Sequence, residues 1–366
     1  MKILFVVSGI GYGDATREHA NILALKKKYP QARIMVAGYD NSYEYFQKKY
    51  PTIRIRGYKL PGKSMKINVW NFGLRNLFLP AFWFLGTLKV RLQAFNFIPD
   101  LVVSDFEPVG ISLARVLGKK CIVVFGFDPL LYKQYAKNHS VNYKMKIEAA
   151  YFERVYNEAD LVLIPTFRKN PEKHLSYTYV SPVIRTNPEQ LPSETVLMKQ
   201  LHLKKKPFVV MLGGSEFGTK LALHINKIAS AFPQERFLIF GGDLQFLFAK
   251  NVSYIRYTPD FLKYLKVSRG VITLAGQKTL TEALVFQKPV LCFPIEDHIE
   301  QVLNAYALED SILVSHSSSL KAVHFAFGEF LRNLALYQKK ISKRTLQAKG
   351  SDEFVRLLEL TLKKEA

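Results

Sequence analysis

Short, continuous apolar runs separated by longer amphipathic stretches recur along the chain, and this alternation limits the folds open to it. In the first half the runs are Ile3–Val7, Arg33–Ala37, Leu101–Ser104, Cys121–Phe125 and Leu161–Ile164. In the second half they are Phe208–Leu212, Phe237–Phe240, Tyr254–Arg256, Val271–Leu274 and Val290–Phe293. Strands that are apolar throughout are typical of parallel sheets covered by helices on both faces. The pattern therefore predicts an α/β chain that winds two such sheets in succession.

The length agrees with two domains, because 366 residues correspond to about two domains of ordinary size. A proline-rich stretch with a lysine run follows the first series of strands and is the predicted linker. We expect an N-terminal domain at residues 1–184, a linker at 185–206 and a C-terminal domain at 207–350. Residues 351–366 have the apolar spacing of a helix that can pack on either domain, including back on the N-terminal one. Two such domains leave a cleft at the carboxyl ends of their sheets, where open α/β sheets bind ligands.

The charge balance is strongly basic, with a formal net charge of +22. No acidic residue lies between Glu44 and Asp100, a window that contains this basic block: Lys48, Lys49, Arg54, Arg56, Lys59, Lys63, Lys66, Arg75, Lys89 and Arg91. Zinc-finger spacing, RNA-binding aromatic signatures and basic heptads are absent from the sequence, so we expect no nucleic-acid partner. The two cysteines, Cys121 and Cys292, lie far apart in apolar runs, which favours a reducing, cytoplasmic setting.

An uncharged stretch, Asn76–Leu88, lies inside the basic block and is shorter than the roughly 20 residues of a membrane-spanning helix. One interpretation is an interfacial segment on an anionic membrane, with Phe82, Trp83 and Phe84 as the contacts, because apolar burial and charge attraction act together there. The other is a buried helix with basic loops around it. Both remain open from the sequence.

The first strand ends in a glycine-rich turn, Gly9-Ile-Gly11-Tyr-Gly13, followed by Asp14 and Arg17. It is not the dinucleotide-binding fingerprint, because Asp14 stands where that pattern has glycine or alanine. Asp14 has two interpretations. It either satisfies the amides at the start of a helix, or it accepts a proton from a hydroxyl group as a general base.

Three more acids follow strands in the first half, namely Asp105, Glu107 and Asp128. A single acid in such a position is often a helix cap. Together with Asp14 they predict an acceptor pocket in which Asp14, Asp105 and Glu107 share proton transfer and Arg17 and Asp128 contact the acceptor.

Glycine turns also follow strands in the second half, at Gly213-Gly214-Ser215 and at Gly276-Gln277-Lys278-Thr279. The amides that open a helix after such a turn bind anions, and a nearby lysine strengthens the binding. Glu282, Glu300 and Gln301 follow and can accept or donate hydrogen bonds to sugar hydroxyl groups. This half is predicted to hold a nucleotide sugar.

The motifs occur in the order Gly276, Thr279, Glu282-Ala283, Lys288-Pro289, Pro294, Glu300-Gln301 and Asn304-Ala305, preceded by Gly213-Gly214-Ser215 and Gly11-x-Gly13-Asp14-x-x-Arg17. In this order the sequence resembles the GT-B glycosyltransferases, specifically the MurG-like (family 28) UDP-sugar transferases and related archaeal proteins. The resemblance covers both halves. It implies two Rossmann-like domains with parallel sheets that face each other across a cleft.

The resemblance also implies roles for individual residues. Thr258 and Phe261 would border the base, Glu282 the ribose, and Glu300 with Gln301 the transferred sugar. The diphosphate and the sugar nucleotide around it would be bound by Gly13, Gly214, Ser215, Gly276, Gln277, Lys278 and Thr279. The family often has histidine where this chain has Asp14.

The implied reaction is an inverting transfer from a UDP-sugar to a lipid or lipid-linked acceptor at the inner face of the cell membrane. The resemblance implies no metal or other cofactor, and the lack of an Asp-x-Asp metal pair in the sequence agrees with a metal-independent reaction. Two alternatives remain: a nucleotide-sugar epimerase or hydrolase of the same fold, and a catalytically silent subunit that binds sugar nucleotides or membranes.

Overall fold

The computed structural model describes residues 1–59, 69–168, 177–213 and 216–363, and of residues 69–72 and 216 it describes only the backbone. Within the described residues the chain forms two compact units. The first unit contains residues 1–59, 69–185 and 348–363, and the second contains residues 186–347.

The first unit is a parallel sheet with helices on both sides. Its described strands are β1 (Lys2–Val7), β2 (Arg33–Gly38), β3 (Thr52–Arg54), β4 (Leu101–Asp105), β5 (Cys121–Val124), β6 (Leu161–Pro165) and β7 (Thr178–Val180). Its described helices are α1 (Tyr12–Lys28), α2 (Asp40–Phe46), α3 (Val69–Asn76), α4 (Leu79–Gln93), α5 (Pro108–Val116), α6 (Pro129–Asn138), α7 (Tyr143–Asn157) and, at the end of the chain, α15 (Gly350–Lys363). The strand order is β3-β2-β1-β4-β5-β6-β7, and each neighbouring pair is parallel.

The second unit repeats this plan. Its described strands are β8 (Phe208–Met211), β9 (Phe237–Phe240), β10 (Val252–Ile255), β11 (Gly270–Thr273), β12 (Val290–Cys292) and β13 (Leu313–Val314), in the order β10-β9-β8-β11-β12-β13. Its described helices are α8 (Glu194–Gln200), α9 (Thr219–Ala229), α10 (Phe261–Val267), α11 (Gln277–Val285), α12 (Ile299–Tyr306), α13 (Leu320–Arg332) and α14 (Leu334–Ser342). In both sheets the chain starts at the centre, moves to one edge, and then returns to build the other half. This is the Rossmann order, which places a ligand-binding crevice where the direction reverses.

The predicted α/β fold with two Rossmann-like domains is confirmed, and each of the ten apolar runs overlaps a strand. Three short strands at sheet edges, β3, β7 and β13, were not predicted.

The C-terminal helix α15 is part of the first unit. Its Phe354 is buried, with a ring centroid 6.3 Å from that of Phe5 in the central strand. The Glu353 carboxylate accepts hydrogen bonds from the amide and the hydroxyl of Ser181, both at 2.7 Å. Burial and these two bonds fix the helix on the sheet.

Residues 185–206, the predicted linker, include the helix α8, whose first turn is capped by the Ser193 side chain. Lys266 donates hydrogen bonds to the carbonyl groups of Pro188 at 2.8 Å and Leu191 at 2.9 Å. Residues 186–206 of the predicted linker therefore belong to the second unit. The sequence did not predict this short helix, because the prolines before it are typical of a linker.

Candidate active site

The candidate site of the first unit lies where β1 and β4 run side by side and their chains then diverge. Val7 pairs with Asp105 at the last positions of the two strands. The turn after β1 leads into α1, which places Asp14 in its first turn and Arg17 one turn later. Asp14, Arg17 and Asp105, which were singled out in the sequence, therefore meet at the carboxyl end of these two central strands.

Arg17 joins the two acids by short hydrogen bonds. Its Nε donates to Asp105 Oδ2 at 3.0 Å and its Nη2 to Asp105 Oδ1 at 2.6 Å. Nη2 also donates to Asp14 Oδ1 at 2.9 Å. Paired, charge-assisted bonds of this kind fix both the position and the orientation of the two side chains that they join. Burial alone lowers the pKa of Arg17, but Asp105 and Asp14 outweigh that effect and raise it above its ordinary value.

Asp14 is the accessible acid of this group. Its side chain is 26% exposed, whereas that of Asp105 is fully buried. The predicted contact residue Gly13 lies beside it in the first turn of α1, where its carbonyl accepts a bond from the Thr16 hydroxyl at 3.0 Å. A hydroxyl group from outside the protein can therefore approach Asp14 but not Asp105.

The turn before α1 needs a glycine at position 9. A Cβ there would lie 1.9 Å from the carbonyl oxygen of Tyr39. The ring of Tyr39 is itself buried, and its hydroxyl lies 3.2 Å from Ser8 Oγ. The turn before α1 and the segment around Tyr39 therefore lie close together, as the glycine-rich sequence predicted. This contact holds the start of α1 against the sheet.

Glu107 is the N-cap of α5, and its Oε1 accepts a hydrogen bond from the Val109 amide at 3.5 Å. The side chain is buried, and its Oε2 has no hydrogen-bond partner among the described residues. Burial raises the pKa of Glu107 to about 8. The preceding residue, Phe106, has a φ of 50°, in the left-handed region that non-glycine residues rarely adopt. Glu107 is thus a neutral carboxyl group at neutral pH, which can donate a hydrogen bond.

Asp128, predicted to contact the acceptor, caps α6 instead of pointing to solvent. Its carboxylate accepts bonds from the Leu131 amide at 3.1 Å, Arg168 Nη1 at 2.7 Å and the Tyr179 hydroxyl at 2.8 Å. It is buried. These three bonds occupy both oxygens, so the geometry favours a structural role.

In the second unit the candidate site lies at the start of α11, which follows β11, the strand next to the central strand β8. Gly276 is the N-cap and supplies no side-chain bond to the first amides. A Cβ at Gly276 would meet none of the described atoms within 4 Å, so the described part of the chain leaves room for a larger group to approach this position. Backbone amides at such a helix end, together with the helix dipole, attract anions.

Lys278 and Glu282 form an ion pair one turn into α11, with Nζ 3.3 Å from Oε1. Both side chains are largely buried. Gln277 is buried and Thr279 half-buried in the same first turn. Three of the four predicted polar residues of α11 therefore lie in its first turn, and Glu282, one turn further along, holds the lysine.

The next helix, α12, is tied to this region. Asn304 Nδ2 donates to the carbonyl of Ala275 at 3.1 Å, just before α11. Gln301 Oε1 accepts a bond from the Ile295 amide at 3.0 Å, and the half-buried Glu300 lies beside it in the first turn. The predicted sugar contacts are thus brought to the same edge as α11.

The remaining predicted contacts are more distant or not described. Thr258 Oγ1 accepts a bond from the Asp260 amide at 3.1 Å, and Phe261 is buried at the start of α10, beyond the edge strand β10. Gly214 and Ser215 lie outside the described residues. Among the residues that are described, no group of three or more His, Cys, Asp or Glu side chains is arranged to hold a metal ion.

Helices α3 and α4 expose a large apolar surface on the first unit. Its exposed members, which we call the α3–α4 apolar surface, are Leu74, Leu77, Phe78, Phe84, Leu85, Leu88, Leu92, Phe95 and Ile98. Of the three predicted membrane contacts, Phe84 is 69% exposed, whereas Phe82 and Trp83 are half-buried. Arg56 lies over the ring of Phe82 at 5.1 Å. None of the helices in the described ranges has the length and apolar character needed to cross a membrane.

Sequence reasoning missed Glu18 and Asn21, which complete the polar cluster around Arg17. Glu18 is fully buried beside Asp105, and Asn21 Nδ2 donates to its two oxygens at 3.2 Å and 3.3 Å. The sequence does contain a pattern that marks these two residues. Asp14, Arg17, Glu18 and Asn21 stand at helical positions i, i+3, i+4 and i+7, so they form one polar stripe facing the sheet.

Comparison with known proteins places these features in context. A family model described as glycosyl transferase family 1 matches residues 1–335. The chain is 26% identical to an uncharacterised glycosyltransferase of Methanosarcina acetivorans, with 100% of both chains covered.

Two solved structures illustrate the fold. A UDP-glucosyltransferase from Polygonum tinctorium superposes with a TM-score of 0.66 at 15% identity, covering 99% of this chain and 98% of that one. MurG from Acinetobacter baumannii superposes with a TM-score of 0.58 at 14% identity, covering 98% of this chain and 99% of that one. At these identities the likeness concerns the fold alone, and it confirms the predicted GT-B architecture.

Proposed function

Because the chain belongs to glycosyl transferase family 1, we propose that it transfers a sugar, with inversion, from a UDP-sugar to a lipid or lipid-linked acceptor at the inner face of the cell membrane. Membership in this family confirms that the protein is a glycosyltransferase, as the motifs predicted. A glycosyltransferase of this type needs a nucleotide-sugar donor and an acceptor. What we propose is the identity of the donor and of the acceptor, the inversion at the anomeric carbon, and the location at the membrane.

The donor is assigned to the second unit on one main observation, the start of α11, where the N-cap residue is a glycine followed by polar residues. A Cβ at Gly276 would meet no described atom within 4 Å, and Lys278 follows two residues further along. A diphosphate would accept bonds from the first amides of α11 and gain from the lysine charge. Glu282, which holds Lys278 at 3.3 Å, would accept a bond from a ribose hydroxyl with its other oxygen. A UDP-glucosyltransferase of the same fold supports UDP as the carrier.

The general base is assigned to Asp14 because it is the exposed acid of the first unit's cluster. In the proposed step the acceptor oxygen attacks the anomeric carbon while its proton passes to the Asp14 carboxylate. The bond between that carbon and the diphosphate oxygen breaks, and UDP leaves with the bonding electron pair. Attack from the face opposite the diphosphate inverts the configuration at the anomeric carbon.

The departing negative charge would be stabilised by Lys278 and the amides of α11. Donors fixed in place before the reaction lower the barrier without reorganising. The proposal therefore uses no metal and no cofactor besides the donor substrate.

The membrane part of the proposal is supported by the α3–α4 apolar surface. Clusters of exposed large apolar side chains mark interaction sites on folded domains. Arg75, Lys89 and Arg91 on the same two helices are exposed, and no acidic residue occurs between Glu44 and Asp100. Apolar and cationic side chains together match an anionic lipid surface.

Transfer is tested by incubating the protein with a panel of nucleotide sugars and membrane lipid extracts and detecting the glycosylated product by mass spectrometry. We expect transfer from a UDP-sugar, and a kcat lower by about 100- to 10,000-fold in Asp14→Asn, because the acceptor loses its base. The matched control is Asp352→Asn, an exposed acid of the first unit. Equal turnover of Asp14→Asn and wild type would remove Asp14 from the base role.

Membrane contact is tested by liposome flotation with and without anionic lipid. We expect Phe78→Ser plus Phe84→Ser to reduce flotation on anionic vesicles, because both side chains are exposed on α3–α4 and its flanks. Phe325→Ser is the matched control, since Phe325 in the second unit is 67% exposed, nearly as much as Phe84. Equal flotation of the double variant and wild type would contradict the membrane proposal.

A further inference from the structure

Glu18 is a buried carboxyl group that the reaction above does not use. It lies in α1 next to Arg17, is fully buried, and has Oε1 4.0 Å from Arg17 Nε. Its oxygens accept two bonds from Asn21, and its Oε1 and Asp105 Oδ2 both face Arg17 Nε, at 4.0 Å and 3.0 Å. The groups that face it are therefore Arg17 and Asn21 from its own helix and Asp105 from β4.

The charges of this cluster do not balance if each acid is ionised. Three carboxyl groups, those of Asp14, Glu18 and Asp105, surround the guanidinium of Arg17. An additional buried carboxylate without its own cation is strongly unfavourable, because its lost hydration is not replaced. Burial first, and then the neighbouring Asp105, raise the pKa of Glu18 well above its ordinary value. A proton on Glu18 removes the unpaired charge and supplies a donor for Asp105.

We propose that Glu18 is a positioning residue for the catalytic base: its neutral carboxyl group donates a hydrogen bond to Asp105, and Asp105 in turn fixes Arg17 and Asp14. The proposal rests on the proposed function for the role of Asp14.

The geometry explains how the effect reaches Asp14. Arg17 Nη2 serves two acceptors at once, Asp105 Oδ1 at 2.6 Å and Asp14 Oδ1 at 2.9 Å. If Asp105 rotates, the guanidinium follows, and the anchor of Asp14 moves with it. A displacement of about 1 Å at a reacting group lowers a rate on the order of 100-fold.

The kinetic test compares Glu18→Gln with Glu18→Leu. Glutamine keeps a neutral donor of the same shape, so we expect kcat to stay close to that of the wild type. Leucine removes the donor, and we expect kcat to fall by about 100-fold with the donor KM unchanged. Glu44→Gln, at an exposed position of the same unit, is the control.

A second measurement does not depend on activity. The carboxyl carbons of Asp and Glu are isotope-labelled for NMR, and the signals are assigned with Asp14→Asn and Glu18→Gln. We expect the Glu18 signal at neutral pH to have the chemical shift of a neutral acid, and the Asp14 signal to move in Glu18→Leu but not in Glu18→Gln.

Two results would overturn the proposal: an ionised Glu18 at neutral pH, or a Glu18→Gln variant that is as impaired as Glu18→Leu. A merely structural glutamate would leave the Asp14 signal unchanged in the folded leucine variant. Absence of transfer with each nucleotide sugar would contradict the proposed function, whereas the NMR comparison would still decide the state and influence of Glu18.

Discussion

Glu107 couples the stability of the first unit to pH. In the folded protein its pKa is raised by burial to about 8, compared with an ordinary value of 4.5. The unfolded chain therefore releases this proton as the pH rises past the ordinary value, while the folded chain keeps it up to about pH 8. The contribution of the buried, neutral Glu107 to the free energy of unfolding is complete below the ordinary pKa. It is lost as the pH rises from there through the pKa of the folded protein.

We expect Glu107 to lower the free energy of unfolding by up to about 1.4 kcal/mol for each pH unit within this window. Glu107→Gln cannot ionise, so its unfolding free energy should depend less steeply on pH. Urea unfolding of both proteins across the window measures the difference. Parallel pH profiles for the two proteins would show that Glu107 does not titrate in this way.

At the level of single residues, the sequence predicted Asp14, Arg17 and Asp105 because strand ends and a glycine turn mark their positions. Glu18 was missed although it lies on the same polar stripe of α1, because the stripe alone does not show that its carboxyl group is buried beside Asp105. Asp128 shows the reverse case. Its position after a strand fits a ligand contact, but bonds to Arg168 and Tyr179, distant in sequence, occupy its carboxylate.

At the level of elements, α15 supplies part of the core of the first unit. Phe354 is 1% exposed and packs near Phe5, whereas Leu360 on the same helix is 49% exposed. We expect Phe354→Ala to destabilise the first unit by about 3–5 kcal/mol, because a large buried ring leaves a cavity. Leu360→Ala should change the free energy of unfolding little.

Thermal and urea unfolding of the two variants provide the comparison. A Phe354→Ala protein as stable as Leu360→Ala would show that α15 does not contribute to the core.

The strands were predicted more accurately than the short elements. A central strand such as β1 is buried on both faces and reads as a continuous apolar run. The edge strands β3, β7 and β13 have two or three residues each, too few for a pattern. The helix α8 escaped prediction because prolines precede it and its stability depends on contacts with distant residues, such as the ion pair of Glu194 with Lys288.

At the level of the whole molecule, two units with the same strand order carry different chemistry on different helices beside the reversal point: the helix after the first strand in one unit and the helix after the fourth strand in the other. Where the first sheet reverses direction, α1 presents acids and a buried arginine. Where the second reverses, α11 presents amides and Lys278. The repetition of the fold was predictable from the repeated strand pattern. The sequence motifs indicated that the first unit carries the acids and the second unit the anion-binding residues. The ion pair between Lys278 and Glu282 became visible only in the structure.

The most direct measurement is a calorimetric titration of UDP into the wild-type protein, Lys278→Gln and Lys321→Gln. Lys321 is an exposed lysine of the second unit and serves as the control. We expect saturable binding to the wild type and to Lys321→Gln, with affinity lower by about tenfold in Lys278→Gln, because a charge-assisted bond to the diphosphate is lost. No binding of UDP to the wild type, or equal affinity in the three proteins, would contradict a donor site at the start of α11.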